Sequence, residues 1–215
     1  MMSDLIRVSN TPQNTDTVHL VVGHSQILDC WKFVYEKEEL NFPINWICKR
    51  GNTSPSDFME IIKDELKKSQ VPLRILAIIW LNAIPDLSLD HVKKIINEAE
   101  EIMIAHPEHR IAFPEILFIP HFKAFSDKTA RINSLLAEFN FKKGYDKYPL
   151  YKVGIKAKWE REFYLKEKDK KSFTSFIRKF HLNNFFSPVQ ENFSLIVENH
   201  SPKDNRNWLR NRRRD

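Results

Sequence analysis

The sequence VHLVVGHS at residues 18–25 decides the fold prediction. Its first five residues are mostly apolar and β-branched and lead to Gly23, a pattern that predicts a short buried strand. The residues that follow place apolar side chains at helical spacing between positions 27 and 34. A strand that passes directly into a helix is the repeating unit of an α/β protein.

The same alternation continues along the chain. Apolar runs at 44–48 and 75–80 are predicted as strands, and the second lacks any polar alternation, as in a strand covered on both faces. Ser54 and Ser88 each precede an apolar stripe and suit the N-cap positions of two helices. The remaining predictions are a strand region at 111–119, interrupted by Pro114, a helix at 127–139, a strand at 151–158 and a helix at 170–181.

This order of elements predicts a doubly wound parallel sheet with helices on both faces. The chain has 215 residues and contains no Gly- or Ser-rich linker and no internal repeat, so we predict one domain at residues 18–209. Residues 1–17 are expected to form a polar, flexible amino terminus and residues 210–215 a basic tail.

The composition of the chain bears on its cellular compartment and on metal binding. No apolar run reaches the ~18 residues of a membrane span, and residues 1–17 lack the apolar core of a secretion signal. Cys30 and Cys48 lie in apolar stretches and are interpreted as reduced core thiols of a cytoplasmic protein. Two cysteines are too few for a structural zinc site, so neither a metal nor another cofactor is expected.

Charge is distributed unevenly along the chain. Residues 142–179 hold thirteen Lys or Arg against five Asp or Glu, and residues 203–215 hold six against two, although the net charge of the whole chain is only +6. Such asymmetry indicates a polyanionic partner. A solvated basic surface is the alternative, but the arginines at the carboxyl end favour phosphate binding because their planar guanidinium groups suit it.

Three polar or small residues follow successive predicted strands. Ser25 comes after the first strand, Gly51 after the second and Asn82 after the third. In a doubly wound sheet the site lies at the carboxyl ends of the strands. A serine, a glycine and an asparagine placed there match a nucleophile with oxyanion donors, although Ser25 is equally suited to cap the helix that it begins.

These residues resemble the SGNH (GDSL-type) hydrolase family. The family places its serine in a Gly-Asp-Ser turn after the first strand, and a glycine and a Gly-x-Asn-Asp block in its oxyanion hole. An Asp-x-x-His block near its carboxyl end supplies the base and the acid that orients it. By position, Ser25, Gly51 and Asn82 match this pattern, and His200 matches the histidine.

Several residues depart from the family pattern. His24 replaces the aspartate of the first block, while Trp80 and Ala83 replace the glycine and the aspartate of the third. Val197 stands where the orienting aspartate is expected, so His200 lacks the carboxylate that fixes its tautomer. Trp80 would also fill space that an acyl group needs. The chain is therefore expected not to be an enzyme, and Ser25, Gly51, Asn82 and His200 to be vestigial.

Among SGNH-like proteins, the whole chain is similar to the RNA-binding domains of insect germ-plasm organisers. The resemblance rests on the turn at 21–25, the block at 80–83 and the basic end at 205–214. It implies a non-catalytic domain that binds messenger RNA, at 3′ untranslated regions, and helps to assemble germ granules with other granule proteins. An active SGNH serine esterase using Ser25 and His200, and a protein-interaction scaffold, are the alternatives.

Phosphate contacts require exposed, contiguous Lys or Arg side chains. Lys49 and Arg50 are predicted at the rim of the site, and Arg178 and Lys179 on the outer face of a late helix. The predicted RNA-binding residues are Lys49, Arg50, Arg178, Lys179, Arg206, Arg210, Arg212, Arg213 and Arg214.

Overall fold

The computed structural model describes residues 5–8, 16–36, 44–51, 53–80, 86–116, 126–145, 159–161, 164–165 and 167–185. The strands are β1 (Leu5–Val8), β2 (Val18–His24), β3 (Ile44–Lys49), β4 (Leu73–Ile78), β5 (Arg110–Ala112), β6 (Trp159–Arg161) and β7 (Tyr164–Leu165). The helices are α1 (Ser25–Glu36), α2 (Pro55–Lys68), α3 (Leu89–Ala105), α4 (Ser126–Lys142) and α5 (Glu167–Asn184).

Five strands form one sheet in the order β1-β3-β2-β4-β5. The four strands from β2 to β5 are parallel, which confirms the strands predicted at 18–22 and 44–48. The run predicted at 75–80 lies in β4, which begins two residues earlier and ends at Ile78. Strands β6 and β7, which were not predicted, form a separate antiparallel pair.

Helices cover the sheet in two groups, which confirms the doubly wound α/β prediction. Helix α1 packs against α5, while α3 packs against both α2 and α4. The central strand β2 buries Val21 and Val22 completely, as expected for a strand covered on both faces. Cys30 and Cys48 are also buried, and neither forms a disulfide.

The predicted caps of α2 and α3 are confirmed. Ser54 Oγ accepts the backbone N–H of Asp57, whose carboxylate accepts the backbone N–H of Ser54 in return. Ser88 Oγ accepts the backbone N–H of His91 in the same way. These side chains satisfy backbone donors that a helix leaves unpaired in its first turn, so both helix starts are fixed locally.

The amino terminus differs from the sequence prediction. Within the expected flexible segment 1–17, Leu5–Val8 forms an edge strand antiparallel to β3, so the sheet is mixed rather than wholly parallel. Leu5, Ile6 and Val8 pack against the core, and Arg7 makes an ion pair of 2.7 Å with Glu65 of α2. A stretch of four residues between polar neighbours is too short for its alternation of apolar and polar residues to predict a strand. The strand is recognised only from its pairing with β3.

The strand region predicted at 111–119 is shorter than expected. β5 ends at Ala112, and residues 113–116 continue without strand pairing. Pro114 has no N–H to donate to a ladder, which is consistent with the early end of the strand. Residues 117–119, the strand predicted at 151–158 and the domain boundary at 209–210 lie outside the described residues.

Within the described part of the chain, no helix is both long and apolar enough to cross a membrane.

Candidate functional site

The candidate site lies at the carboxyl edge of the sheet. β2 lies between β3 and β4, so the chain leaves β2 towards one side and later returns on its other side, and ligands of doubly wound folds bind at such a switch point. Gly23 is required where β2 meets β4, because a Cβ there would come within 2.3 Å of the carbonyl oxygen of Ile78. Gly23 was predicted to end the strand, but the strand continues to His24.

His24 is a buried, neutral side chain. Its Nε2 lies 3.1 Å from the carbonyl oxygen of Ile79, and its ring packs edge-on against Phe58 with the centroids 4.7 Å apart. Burial lowers the pKa of His24 to about 4, although the bond to Ile79 acts in the opposite direction. Because a carbonyl can only accept, Nε2 carries the proton, and Nδ1 has no partner among the described residues.

Ser25 is the first residue of α1 and is half-buried. β2 ends at the preceding residue, so Ser25 lies at the strand-to-helix junction, as predicted. Two other residues of the predicted vestigial site, Asn82 and His200, lie outside the described residues, as does Val197, while Gly51 is described below. The pairing of Ser25 with His200 therefore stays a prediction.

The turn after β3 contains Gly51 and the two basic residues predicted at the rim. Gly51 is exposed and has a φ of +85°, a backbone conformation that favours glycine. Thr53 donates its backbone N–H to Gly51 and its hydroxyl to the carbonyl of Arg50. Lys49 is half-buried and Arg50 exposed, so both basic residues follow β3 directly to the carboxyl edge.

Lys49 also lies near the first turn of α2. The pKa of Asp57 is lowered chiefly by the backbone N–H of Ser54, and the charge of Lys49 adds to this effect. The rim therefore combines a cation from the end of a strand with the amino end of a helix. Both favour negative charge.

Trp80 follows β4, which lies on the opposite side of β2 from β3, and its side chain belongs to the core. Its side chain is 2% exposed and packs against the ring of Phe113 at 5.4 Å between centroids. Asn140 of α4 holds the backbone of Phe113 by two hydrogen bonds, and Asn133 holds that of Ile116 in the same manner. These asparagines replace the strand partner that residues 113–116 lack.

The role of Asn133 and Asn140 was not predicted from the sequence. The two residues lie seven positions apart, which places them on the same side of α4 as its apolar stripe. A polar pair on the buried side of a helix is the signal that would have found them.

The structure places Arg178 and Lys179 on the exposed side of α5. Their neighbours Phe176 and Ile177 are completely buried, as predicted for the apolar face of this helix. One turn later, His181 Nδ1 lies 3.2 Å from His19 Nδ1, near the beginning of β2. The carboxyl end of α5 therefore lies near the amino edge of the sheet.

The two described basic pairs are consequently not neighbours. Lys49 is level with His24 in the sheet, and His24 is five residues beyond His19 on β2, or about 16 Å along the strand. Arg178 and Lys179 lie close to the level of His19. The arginines predicted for RNA binding at positions 206, 210 and 212–214 lie outside the described residues.

Four lysines of the opposite helix group are paired with glutamates. Lys63 bridges Glu60 and Glu98, joining α2 to α3. The other ion pairs of this kind are Lys68–Glu65, Lys142–Glu138 and Lys143–Glu100. The excess positive charge of the described helices is therefore concentrated on α5.

His106, Glu108 and His109 are the one group of the described residues with ligand atoms close enough to hold a metal ion. His109 Nδ1 accepts the backbone N–H of Leu73, so the neutral ring carries its proton on Nε2. That Nε2 lies 3.3 Å from Glu108, to which it can donate. A metal needs a lone pair on Nε2, so the hydrogen bonding of His109 does not suit metal binding.

Comparison with known proteins supports the fold. No protein-family model and no curated protein matches the sequence. A member of the lipolytic protein G-D-S-L family from Veillonella parvula is similar in structure, with a TM-score of 0.56 at 11% identity over 79% of this chain and 98% of that one. A putative platelet activating factor from Streptococcus pneumonia gives a TM-score of 0.56 at 15% identity, over 80% and 86% of the chains.

A lipase/acylhydrolase from Enterococcus faecalis is similar over 75% of this chain and 94% of its own, with a TM-score of 0.53 at 11% identity. At these identities the likeness concerns the fold. The described chain thus has an SGNH-like fold, with a five-stranded sheet between helices.

Proposed function

We propose that this chain is a non-catalytic SGNH-like domain that binds RNA. The observation that carries the proposal is the charge of α5. Arg178 and Lys179 are exposed there, and no Asp or Glu occurs between residues 170 and 185, although Glu167 and Asp169 precede this stretch at the start of the helix. Several lysines on the other helix group are paired with glutamates, so this helix is the described element with the most positive charge left for a polyanion.

The candidate catalytic edge supports the absence of hydrolysis. His24 is neutral and buried where the SGNH pattern has an aspartate, and Trp80 is packed into the core where the pattern has a glycine. In the sequence, Val197 takes the place of the acid that orients the catalytic histidine. A histidine without that carboxylate loses most of its power as a general base for serine.

The sequence is similar to the carboxyl-terminal domain of Oskar, the insect germ-plasm organiser. On that resemblance we propose messenger RNA, bound at 3′ untranslated regions, as the ligand and cytoplasmic germ granules as the setting, with other granule proteins as further partners. The basic end at residues 205–214 is part of the resemblance and is proposed to contribute to RNA binding.

A serine esterase is the second candidate, and one observation favours it. Ser25 is half-buried at the start of a helix on the carboxyl edge, and Gly51 lies in an exposed turn at the end of the neighbouring strand. This is the placement of a nucleophile beside an oxyanion donor. The structural neighbours named above include a lipase/acylhydrolase.

Ester hydrolysis and RNA binding measured on one preparation separate the two candidates. We expect RNA binding that weakens with salt, and ester turnover equal in the native chain and in Ser25→Ala. Ser134→Ala, which changes an exposed serine on α4, is the matched control. Labelling of Ser25 by a fluorophosphonate, or turnover abolished by Ser25→Ala alone, would establish the esterase and contradict the proposal.

A further inference from the structure

We infer that one exposed tract on α5 holds the phosphodiester backbone of RNA without reading its bases. The inference rests on the proposed RNA-binding function and assigns that function a surface. The α5 tract comprises Lys171, Ser175, Arg178, Lys179 and Leu182, all of which are exposed.

The tract follows one side of the helix. Its members are separated by four, three, one and three residues, which is the spacing of a continuous helical stripe. From Lys171 to Lys179 the tract extends about 12 Å along the helix axis. The opposite side of α5 is buried through Phe173, Phe176 and Phe180, so the two faces of the helix are clearly divided.

Arg178 and Lys179 lie in a part of the tract without acidic residues nearby in the sequence. Residues 170–185 contain neither Asp nor Glu, and the ion pairs formed by the described side chains do not include Arg178 or Lys179. Lys171 follows Glu167 by four residues on the same helix, a spacing that favours an ion pair. Binding a phosphate at Arg178 or Lys179 breaks none of the ion pairs of the described side chains. Each phosphate bound can instead release a counterion from the nucleic acid, which is the main source of sequence-independent affinity.

The chemistry of the tract explains why it would not discriminate between bases. Lys, Arg and Ser side chains bind phosphate oxygens, and such contacts position a nucleic acid without reporting its sequence. Base recognition in single strands uses exposed aromatic rings for stacking, but the described aromatics beside the tract point into the core. The tract therefore offers charge without a stacking surface.

The helix is held firmly on the sheet, which fixes the spacing of the cations. Phe176 and Ile177 are completely buried, and His181 contacts His19 of β2 at 3.2 Å between their Nδ1 atoms. A tract on a docked helix loses little backbone freedom when RNA binds. This distinguishes it from a basic segment that must become ordered on binding.

Neutralising the tract tests the inference. The test variant is Lys171→Gln/Arg178→Gln/Lys179→Gln, and the matched control is Lys67→Gln/Lys93→Gln/Lys94→Gln, which removes three exposed lysines from α2 and α3. Affinities for oligo(U) and oligo(A) are measured between about 50 and about 200 mM salt. We expect the log–log salt slope to fall by about 2 in the test variant, for both RNAs, and to stay unchanged in the control.

Thermal unfolding checks that both variants remain folded. We expect melting temperatures close to that of the native chain, because exposed charged side chains contribute little to stability. One outcome would overturn the inference about the α5 tract but leave the proposed RNA binding intact. In that outcome the test variant binds RNA as tightly as the control, while Lys49→Gln/Arg50→Gln binds RNA more weakly. If the native chain binds neither RNA, both proposals fail. A preference for one RNA that neutralising the tract abolishes would show that the tract reads bases, and would overturn the inference.

Discussion

At the scale of single residues, two side chains at the carboxyl edge are packed into the protein interior. His24 donates to the carbonyl of Ile79 and lies against Phe58, and Trp80 lies against Phe113. Both positions carry small or acidic residues in the SGNH pattern that the sequence resembles. Here they are part of the hydrophobic core, which gives the site's departures from that pattern a structural use.

Gly23→Ala is predicted to destabilise the protein by about 1 to 3 kcal/mol, because the added methyl group would push the backbones of β2 and β4 apart. The added carbon would lie 2.3 Å from the carbonyl oxygen of Ile78. Gly51→Ala is the control: no atom lies within 4 Å of its added carbon, and only its positive φ opposes the change. Urea denaturation measures both variants, and a Gly23→Ala variant as stable as the native protein would contradict the close-approach argument.

At the scale of elements, α5 is joined to β2 through two buried histidines. His19 and His181 face each other, and the ring of Phe185 contacts both. Burial is the main cause that lowers the pKa of each, to about 4 for His19 and well below its usual value for His181. The charge of Arg74 on β4 adds to the effect on His19, so every described charge facing the pair opposes protonation.

The stability of the protein is therefore predicted to fall as the pH falls from about 6.5 to about 4. An unfolded histidine has a pKa of about 6.5, so within this window the unfolded chain binds more protons than the folded one. For His19 the decrease approaches about 3 kcal/mol at the acid end, and His24, whose pKa is also lowered to about 4, adds a similar amount. Above about 6.5 this contribution is constant.

Urea denaturation at several pH values measures this dependence. His19→Gln removes one titrating group, so the slope of stability against pH should decrease by up to one proton within this window. A native chain equally stable at both ends of the window would contradict the assignment of neutral, buried histidines.

At the scale of the whole molecule, charge is divided between two sides of the sheet. The helices α2, α3 and α4 are joined by Lys–Glu pairs, while α5 presents Arg178 and Lys179 in a stretch, residues 170–185, that contains no Asp or Glu. The net charge of +6 conceals this division. A polyanion would therefore approach one side of the molecule in preference to the other.

The basic end of the chain is predicted to add affinity without specificity. Deleting residues 212–214 should weaken RNA binding about equally for all sequences, because such a segment meets mostly the phosphate backbone. The slope of affinity against salt should fall by about 0.7 for each phosphate that the shortened chain no longer neutralises, and the melting temperature should not change. Arg206→Glu and Arg50→Glu should weaken binding more than the deletion. Salt-insensitive binding would contradict this view.

The strands that are buried on both faces and the helices that are capped locally could be predicted from the amino-acid sequence. Residues 18–22 and 44–48, Ser54 and Ser88 could be interpreted alone, because burial on two faces leaves an unbroken apolar run and a cap is formed within one turn. The placement of Ser25 and Gly51 at strand ends followed from the same alternation.

Features that depend on partners far away in the sequence became visible in the three-dimensional structure. Leu5–Val8 is a strand because β3 accepts it, and residues 113–116 are held by Asn133 and Asn140 from a helix later in the chain. The neutral state of His24 and the contact of His19 with a residue 162 positions away likewise depend on burial that no local pattern reports. Local sequence encodes periodicity and caps, whereas edge pairing and the charge state of a buried group arise when separate elements pack together.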